Sequence, residues 1–211
     1  MVTTFEVQKH AKIMNIKSQK IINVLSYMLL TTGLVVVGCH QPMSETVKGD
    51  TTTYNGGFEQ VKDNKPVNWL LYTPATTGNG DFDITIDTTD HAEGHRSLRI
   101  AVRQCGDKGG RLSPGIAQEI AATPGASYEV SYQLKNTGAR YRIHITGVDA
   151  WNSDTGVTIT NADTLQQWTS YKHSYTLPRH MKRLRIEVNV LSAGVLCIDD
   201  IVVKELRTAK N

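Results

Sequence analysis

The sequence predicts an all-β domain, an antiparallel β-sandwich or barrel, preceded by an export leader. Short segments alternate apolar and polar residues with a period of two, and Gly- and Asn-rich turns separate them. No helical period is sustained beyond the leader. The large apolar residues suffice for one core of about 150 residues, and no internal repeat or second domain is evident.

The first 38 residues read as a signal peptide. Lys17 and Lys20 precede an uncharged, mostly apolar run from residue 21 to residue 38, and the next residue is Cys39. Met14 is an alternative start, which would give a more compact charged region. The Gly38-Cys39 pair resembles a bacterial lipobox and predicts Cys39 as the lipidated first residue. A transmembrane anchor and a cleaved, soluble product are the alternatives. All three place the domain outside the cytoplasm, and the lipoprotein reading places it in a bacterial cell envelope, periplasmic or surface-exposed.

Charge excludes one class of partner. The net charge of the whole chain is +3, but from Cys39 onward 19 Lys and Arg face 19 Asp and Glu. A neutral mature protein lacks the basic surface on which nucleic-acid binding depends. We therefore expect no nucleic-acid partner.

The chain divides into a lipidated Cys and polar tether at 39–54, one domain at 55–206 and a short tail at 207–211. Alternation within the domain predicts strands with one face in the core and one in water, as antiparallel sheets allow. The clearest alternating segments are 82–86, 98–102, 128–134, 141–145 and 184–190.

The last predicted strand, 195–205, carries two adjacent carboxylates, Asp199 and Asp200. Alternation predicts that they point to opposite faces. A carboxylate that points inward is costly unless it is paired or binds a metal. We interpret the partner as a calcium ion shared with Glu59, since calcium takes carboxylate and carbonyl oxygens. The alternative is that Glu59 pairs with an arginine and Asp199 caps a turn.

Seven short motifs, in this order, resemble jelly-roll carbohydrate-binding modules of families 4, 9 and 22, which are appended to cellulases and xylanases. The resemblance covers residues 50 to 206 and implies a galactose-binding-domain-like sandwich. It also implies a structural calcium that joins the first strand to the last, with ligands Glu59, Asp199 and backbone carbonyls near residues 55–57 and Arg96. The motifs are Asn55–Glu59, Pro66–Trp69, Gly94–Leu98, Gly115–Ile120, Pro124–Tyr128, Trp168–Tyr171 and Ile198–Ile201.

In that family the water-facing side of one sheet is concave and holds the glycan. By the resemblance, Glu187 and Asn189 would contact sugar from the strand before the terminal one. Arg142 and His144 lie on the polar side of a strand expected in the same sheet, and Gln118 matches a recurrent glutamine. An ordinary solvated strand face is the alternative for each.

The aromatic residues differ in their surroundings. Trp151 lies in a polar loop and is the candidate platform for sugar stacking, or else an anchor that covers the loop. Trp69 and Trp168 are expected in the core. The alternation does not fix the faces of Tyr72, Tyr171 and Tyr175.

No motif predicts catalysis. The sequence contains no nucleophile elbow, zinc-protease motif or phosphate loop. Glu119, Glu129 and Glu187 could supply a glycosidase pair, but nothing distinguishes them from ordinary strand residues. The basic bias of residues 140–142 and 182–185 would suit an acidic glycan, although ion pairs with Asp and Glu explain it equally well.

The two cysteines of the domain, Cys105 and Cys197, either form a disulfide, as an exported chain permits, or remain separate thiols.

We therefore predict non-catalytic binding of a poly- or oligosaccharide by a membrane-anchored lipoprotein. It would hold polysaccharide near glycoside hydrolases carried on other chains. A protein-contact or adhesion module is the alternative from another class, and hydrolysis of glycosyl bonds is the third. No cofactor beyond calcium is implied.

Overall fold

The computed structural model describes residues 55–78, 80–150 and 152–206, and within them two five-stranded antiparallel sheets lie face to face. This confirms the predicted antiparallel β-sandwich. Sheet 1 has the order β10-β7-β12-β5-β4 and sheet 2 the order β3-β6-β11-β8-β9. The strands of sheet 1 are β4 (Gly80–Asp87), β5 (Ser97–Cys105), β7 (Ser127–Thr137), β10 (Leu165–Thr176) and β12 (Gly194–Leu206). Those of sheet 2 are β3 (Leu70–Tyr72), β6 (Gly115–Ala121), β8 (Tyr141–Val148), β9 (Val157–Asn161) and β11 (Arg183–Val190).

Three smaller elements complete the described residues. A hairpin of β1 (Val61–Lys62) and β2 (Lys65–Pro66) precedes sheet 2. A single helical turn, α1 (Pro74–Thr77), follows β3, and a 3-10 turn, η1 (Gly110–Leu112), lies between β5 and β6. Neither helical turn interrupts a sheet, so the sandwich is built from strands alone.

The core lies between the sheets and is formed by the residues at every second position of the long strands. Each of the alternating segments recognised in the sequence lies within a strand, and its apolar members point inward. Burial of this apolar area is the main driving force for bringing the sheets together. Fully buried examples are Leu98, Ile100, Val130, Leu134, Ile143, Ile145, Leu184, Val188, Leu196 and Ile198.

Two tryptophans differ in placement. Trp69 is buried in the core against Phe58, with ring centroids 5.5 Å apart, and its Nε1 donates to the Asn55 carbonyl at 3.0 Å. The core placement expected for Trp168 is wrong. Its ring is half-buried outside the core cluster, and its Nε1 donates to Asp90 Oδ1 at 2.9 Å.

The terminal strand departs from simple alternation at the two carboxylates. A β-bulge lies between Asp199 and Val202, and Asp200 has a φ of 46°. Asp199 pairs with Gln133 on the outer side of sheet 1, yet it is fully buried, because the amides of Ala92 and Glu93 donate to its Oδ2. Asp199 therefore faces the outer side of sheet 1, and the segment of residues 88–96 covers it there.

Of the two alternatives for Cys105 and Cys197, the structure has the separate thiols. Cys197 lies opposite Arg99 on β5, whereas Cys105 lies six residues further along the same strand. At about 3.3 Å per residue this separates the two Cα atoms by roughly 20 Å, while a disulfide requires about 7 Å or less. Both are free thiols, and burial raises the pKa of Cys197 to about 11.

No helix within the described residues is long and apolar enough to cross a membrane. The predicted signal peptide, Cys39, the tether and the tail lie outside these residues.

Candidate functional site

The outer side of sheet 2 carries the polar residues singled out in the sequence. Directly paired residues on neighbouring antiparallel strands share a face, so the register gives its rows. We call this surface the sheet-2 face. One row contains Leu70, Ala117, Glu187, His144 and Thr158. The next contains Tyr72, Gly115, Asn189, Arg142 and Thr160. A third, on the other side of the first row, contains Glu119, Arg185 and Thr146.

Glu187 is at the centre of a hydrogen-bond network on this face. Arg142 Nη2 donates to Glu187 Oε1 at 3.0 Å, and the Tyr72 hydroxyl donates to Glu187 Oε2 at 3.0 Å. Burial of the Tyr72 hydroxyl is the main cause that raises its pKa to about 12, and the negative charge of Glu187 adds to it. The positive charges of Arg185 and Arg111 act in the opposite direction. The carboxylate is nearly buried, so its charge is compensated chiefly by Arg142.

Asn189 attaches the loop of residues 106–114 to the sheet. Its Oδ1 accepts from Gly110 N at 2.8 Å, and its Nδ2 donates to Gly110 O at 3.0 Å. The same Oδ1 also accepts from Arg142 Nη2 at 2.9 Å. Gly109 lies against the guanidinium of Arg142 at a φ of 74°, where a Cβ would overlap the side chain. This loop thus closes one end of the sheet-2 face over Arg142.

The loop of residues 149–156 lies at the other end. Arg183 Nη2 donates to Asp149 O at 3.1 Å, and the Tyr175 hydroxyl donates to Asp154 Oδ2 at 2.7 Å. Burial would raise the pKa of Asp154, but hydrogen bonds from Thr146, Tyr175 and backbone amides outweigh it and lower the pKa. Trp151 lies outside the described residues. Asp149 and Asp154, on either side of it in the sequence, are bound by Arg183 and Tyr175.

The structure brings four of the predicted sugar contacts to one face, namely Arg142, His144, Glu187 and Asn189. The half-exposed His144 has a ring nitrogen 3.2 Å from the Thr155 carbonyl oxygen. Asn189 is fully buried, with its amide used on Gly110 and Arg142. Asn189 therefore holds the 106–114 loop and is not exposed for the direct contact with a sugar that had been predicted.

Gln118 does not join them. It pairs with Ile186 in an inward-facing row of sheet 2, is buried, and donates from Nε2 to the Asn68 carbonyl at 3.2 Å. The predicted sugar contact at Gln118 is therefore wrong. Strand β6 places Gln118 on the same side as Ile116, so alternation within the motif could have shown this.

Sequence reasoning missed or left open several residues of this surface. Tyr72 faces it, but its ring is buried and its hydroxyl is bound to Glu187. Strand β3 has only three residues, too few for alternation to reveal its faces. Tyr171 and Tyr175 pack inside the sandwich. Gly110 of η1 contacts this surface through Asn189, which no sequence pattern indicated.

The carboxylates considered for catalysis do not face each other across a cleft. Glu129 lies on sheet 1, where Lys172 Nζ contacts it at 3.2 Å. Glu119 and Glu187 lie side by side on the sheet-2 face in adjacent rows. Glu119 is bound by both Arg183 and Arg185, and Glu187 by Arg142. This differs from the flanking arrangement that glycosidases use.

The side chains of the predicted calcium ligands Glu59 and Asp199 both lie near Gly57. An ideal Cβ on Gly57 would be 3.9 Å from both Asp199 Oδ1 and Glu59 Cγ. Glu59 Oε1 accepts from His95 N at 2.6 Å and Arg96 N at 3.0 Å, and Arg96 Nη1 lies 3.3 Å from Glu59 Oε2. Both carboxylates therefore already hold the 88–96 segment.

The pKa values of the two carboxylates are shifted in opposite directions. Burial raises the pKa of Glu59, but the amides of His95 and Arg96 outweigh it, so the pKa is lowered. Burial dominates for Asp199 and raises its pKa. Each carboxylate retains a lone pair after its hydrogen bonds, so the donor set fits an oxygen-liganded cation. Among the described residues no group of three or more His, Cys, Asp or Glu side chains is arranged to hold a metal.

Comparison with known proteins gives the family. The profile of the family described as "Carbohydrate binding domain" matches residues 50–194. No curated protein matches the chain. Among solved structures, a CBM22-1 xylan-binding domain from Paenibacillus barcinonensis is 13% identical at a TM-score of 0.55, over 77% of this chain and 99% of that one. A CBM4 module is 18% identical at a TM-score of 0.54, over 72% of this chain and 99% of that one.

A third similar structure is an enzymatically active domain of tailspike protein 4 from bacteriophage CBA120. It is 18% identical at a TM-score of 0.58, and the match covers 74% of this chain but only 21% of that one. Identities this low show a shared fold alone, whereas the family profile spans more than half of this sequence. The chain belongs to the carbohydrate-binding domain family whose modules include families 4 and 9.

Proposed function

We propose that this protein binds a poly- or oligosaccharide without catalysis, through the sheet-2 face. The observation that carries the proposal is the row of polar side chains on this face, framed by the 106–114 and 149–156 loops. Arg142 fixes the orientation of Glu187, so a ligand would meet a preorganised surface that loses little entropy on binding. His144 and Arg185 remain partly exposed for hydrogen bonds to hydroxyl groups.

Aromatic stacking would come from the 149–156 loop. Within the described residues the sheet-2 face exposes no large aromatic ring, because Tyr72 is buried. Trp151 remains the proposed platform, since its loop is held at Asp149 and Asp154 at the edge of the face. A surface with one platform suits a short soluble chain better than crystalline cellulose.

The test is a glycan-array screen of the full-length protein in the presence of calcium. We expect a hit that weakens about fivefold in His144→Ala, as the loss of one hydrogen bond of about 1 kcal/mol predicts. Trp151→Ala is expected to weaken it further. The matched control is His95→Ala, an exposed histidine in the segment that covers sheet 1. Binding that survives both site variants would move the site elsewhere, and silence across all glycans would favour the protein-contact alternative.

We also propose a structural calcium at Glu59 and Asp199. When bound, the ion would supply positive charge beside the buried carboxylate of Asp199 and join the start of the domain to strand β12. Calcium is expected to raise the melting temperature, and a chelator to lower it, because an ion that binds only the folded state stabilises it. Asp199→Asn is the control and should no longer respond to calcium. An identical melting temperature with and without chelator would contradict the site.

The envelope location, the lipid on Cys39 and the cooperation with glycoside hydrolases on other chains stay predictions from the sequence.

A further inference from the structure

We propose that His91 and His95 form a binding site for a first-row transition ion such as Zn²⁺ or Cu²⁺. Both rings belong to the segment of residues 88–96, which covers the outer side of sheet 1 and therefore lies away from the sheet-2 face. Imidazole nitrogen is a preferred ligand of these ions, whereas calcium takes oxygen. The site thus differs in chemistry from the proposed calcium at Glu59 and Asp199.

The two imidazole rings are close enough to share one ion. Their centroids are 6.4 Å apart, and the rings meet edge to face at an interplanar angle of 68°. With metal–nitrogen bonds of about 2.0–2.1 Å, two imidazoles on one tetrahedral ion have centroids roughly 5 Å apart. A rotation of the exposed His95 side chain between its staggered positions would close the remaining distance.

The ring nitrogens of this pair are available. His91 is half-buried, yet within the described part of the chain neither its ring nor that of His95 has a hydrogen-bond partner. Elsewhere, a ring nitrogen of His173 lies 2.8 Å from the Tyr132 hydroxyl oxygen. Two adjacent imidazoles without partners can both direct a lone pair at the same ion.

The backbone that carries the two rings is held in place. The amides of Ala92 and Glu93 donate to Asp199 Oδ2 at 2.9 and 3.0 Å. The amides of His95 and Arg96 donate to Glu59 Oε1 at 2.6 and 3.0 Å. These four bonds fix the turn between the two rings, so an ion would bind a preorganised pair and lose less free energy to ordering it. Water would complete the coordination shell, as at an open metal site.

The charges of the segment favour a cation. Its one arginine, Arg96, lies with Nη1 3.3 Å from Glu59 Oε2. Asp90 is paired with Lys135 at 2.7 Å, whereas the exposed Glu93, between the two histidines in sequence, forms no ion pair with any described residue. A divalent ion would therefore meet no unpaired cation of this segment.

The experiment is calorimetric titration of the full-length protein with Zn²⁺, at a calcium concentration that keeps the carboxylates at Glu59 and Asp199 supplied. The variants are His91→Gln, His95→Gln and the double replacement. His180→Gln is the matched control, because His180 is exposed on a different loop. Mg²⁺ is titrated in parallel, since it is a cation that prefers oxygen ligands.

We expect each single replacement to weaken Zn²⁺ binding about tenfold or more, because the second imidazole acts at a high effective concentration only while the first is present. The double variant should bind no more weakly than either single variant, since one imidazole alone does not chelate. His180→Gln should leave the affinity unchanged, and Mg²⁺ should give no corresponding heat. Without Zn²⁺ the variants should melt as the wild type does, because neither ring has a hydrogen-bond partner to lose within the described residues.

Three results would overturn the site. Equal Zn²⁺ affinity in the wild type and both single variants would show that the rings form only an aromatic contact. Losses that add up in the double variant would show two separate histidines that do not share an ion. Binding heat that Mg²⁺ reproduces would place the ion on carboxylates instead. None of these outcomes affects the glycan test, because the rings lie on sheet 1 and the proposed sugar contacts on sheet 2.

Discussion

Replacing Asn189 with alanine should destabilise the domain and free the loop that closes the site. Asn189 is fully buried and exchanges two hydrogen bonds with the backbone of Gly110, and it accepts a third from Arg142. Each bond contributes about 1 kcal/mol net, and alanine would leave buried partners unsatisfied. We expect a loss of about 3 kcal/mol in the free energy of unfolding. At roughly 2–4 °C per kcal/mol for a domain of this size, the melting temperature should fall by about 10 °C.

Urea unfolding followed by tryptophan fluorescence would measure the loss, and Asn152→Ala is the matched control. Asn152 is exposed and takes part through its backbone amide, which donates to Asp149, so its replacement should cost less than about 0.5 kcal/mol. Glycan affinity of Asn189→Ala should fall as well, since Arg142 and Glu187 lose the cover of the loop. A loss below about 1 kcal/mol with unchanged glycan affinity would refute the role assigned to this side chain.

Two further predictions concern titration and thiol chemistry. Burial lowers the pKa of His173 below its ordinary 6.5, and its Nε2 lies 2.8 Å from the Tyr132 hydroxyl oxygen. Because the unfolded chain binds the proton more readily, stability should be complete above pH 6.5 and fall as the pH drops through that value; His173→Gln should flatten this part of a melting-temperature profile. Alkylation in denaturant without reductant, followed by peptide mapping, should label both Cys105 and Cys197 fully, and a linked peptide would contradict the free thiols.

The local sequence pattern was sufficient to predict the sandwich, because antiparallel strands with one solvent-exposed face bury every second residue. The segments around Leu98, Tyr128 and Leu184 are strands with the expected residues inside. The same pattern predicts the outward direction of Asp199 but not its burial, because a distant segment supplies the amides that cover the carboxylate. Alternation therefore predicts faces within a regular strand but not what covers a face.

The candidate site was predicted in part. Arg142, His144 and Glu187 share a face because the register of β8 with β11 places His144 opposite Glu187, and alternation brings Arg142 to the same side. The motif resemblance predicted Gln118 on the polar face, whereas the alternation of residues in β6 places it on the inward-facing side with Ile116. Tyr72 and Gly110 lie in a three-residue strand and a 3-10 turn, whose positions depend on contacts with residues more than 70 positions away in the chain.

The sequence by itself determined an all-β sandwich, because alternation and turn residues are local properties, and the resemblance to carbohydrate-binding modules came from its ordered motifs. It also determined the neutral charge of the region after Cys39. Only the tertiary structure decided which polar residues act together. The separation of Cys105 from Cys197, the burial of Asn189 under Gly110 and the pairing of two arginines with one Glu119 depend on strand register and loop closure. Both are set by contacts between residues far apart in the chain, which short-range periodicity does not encode.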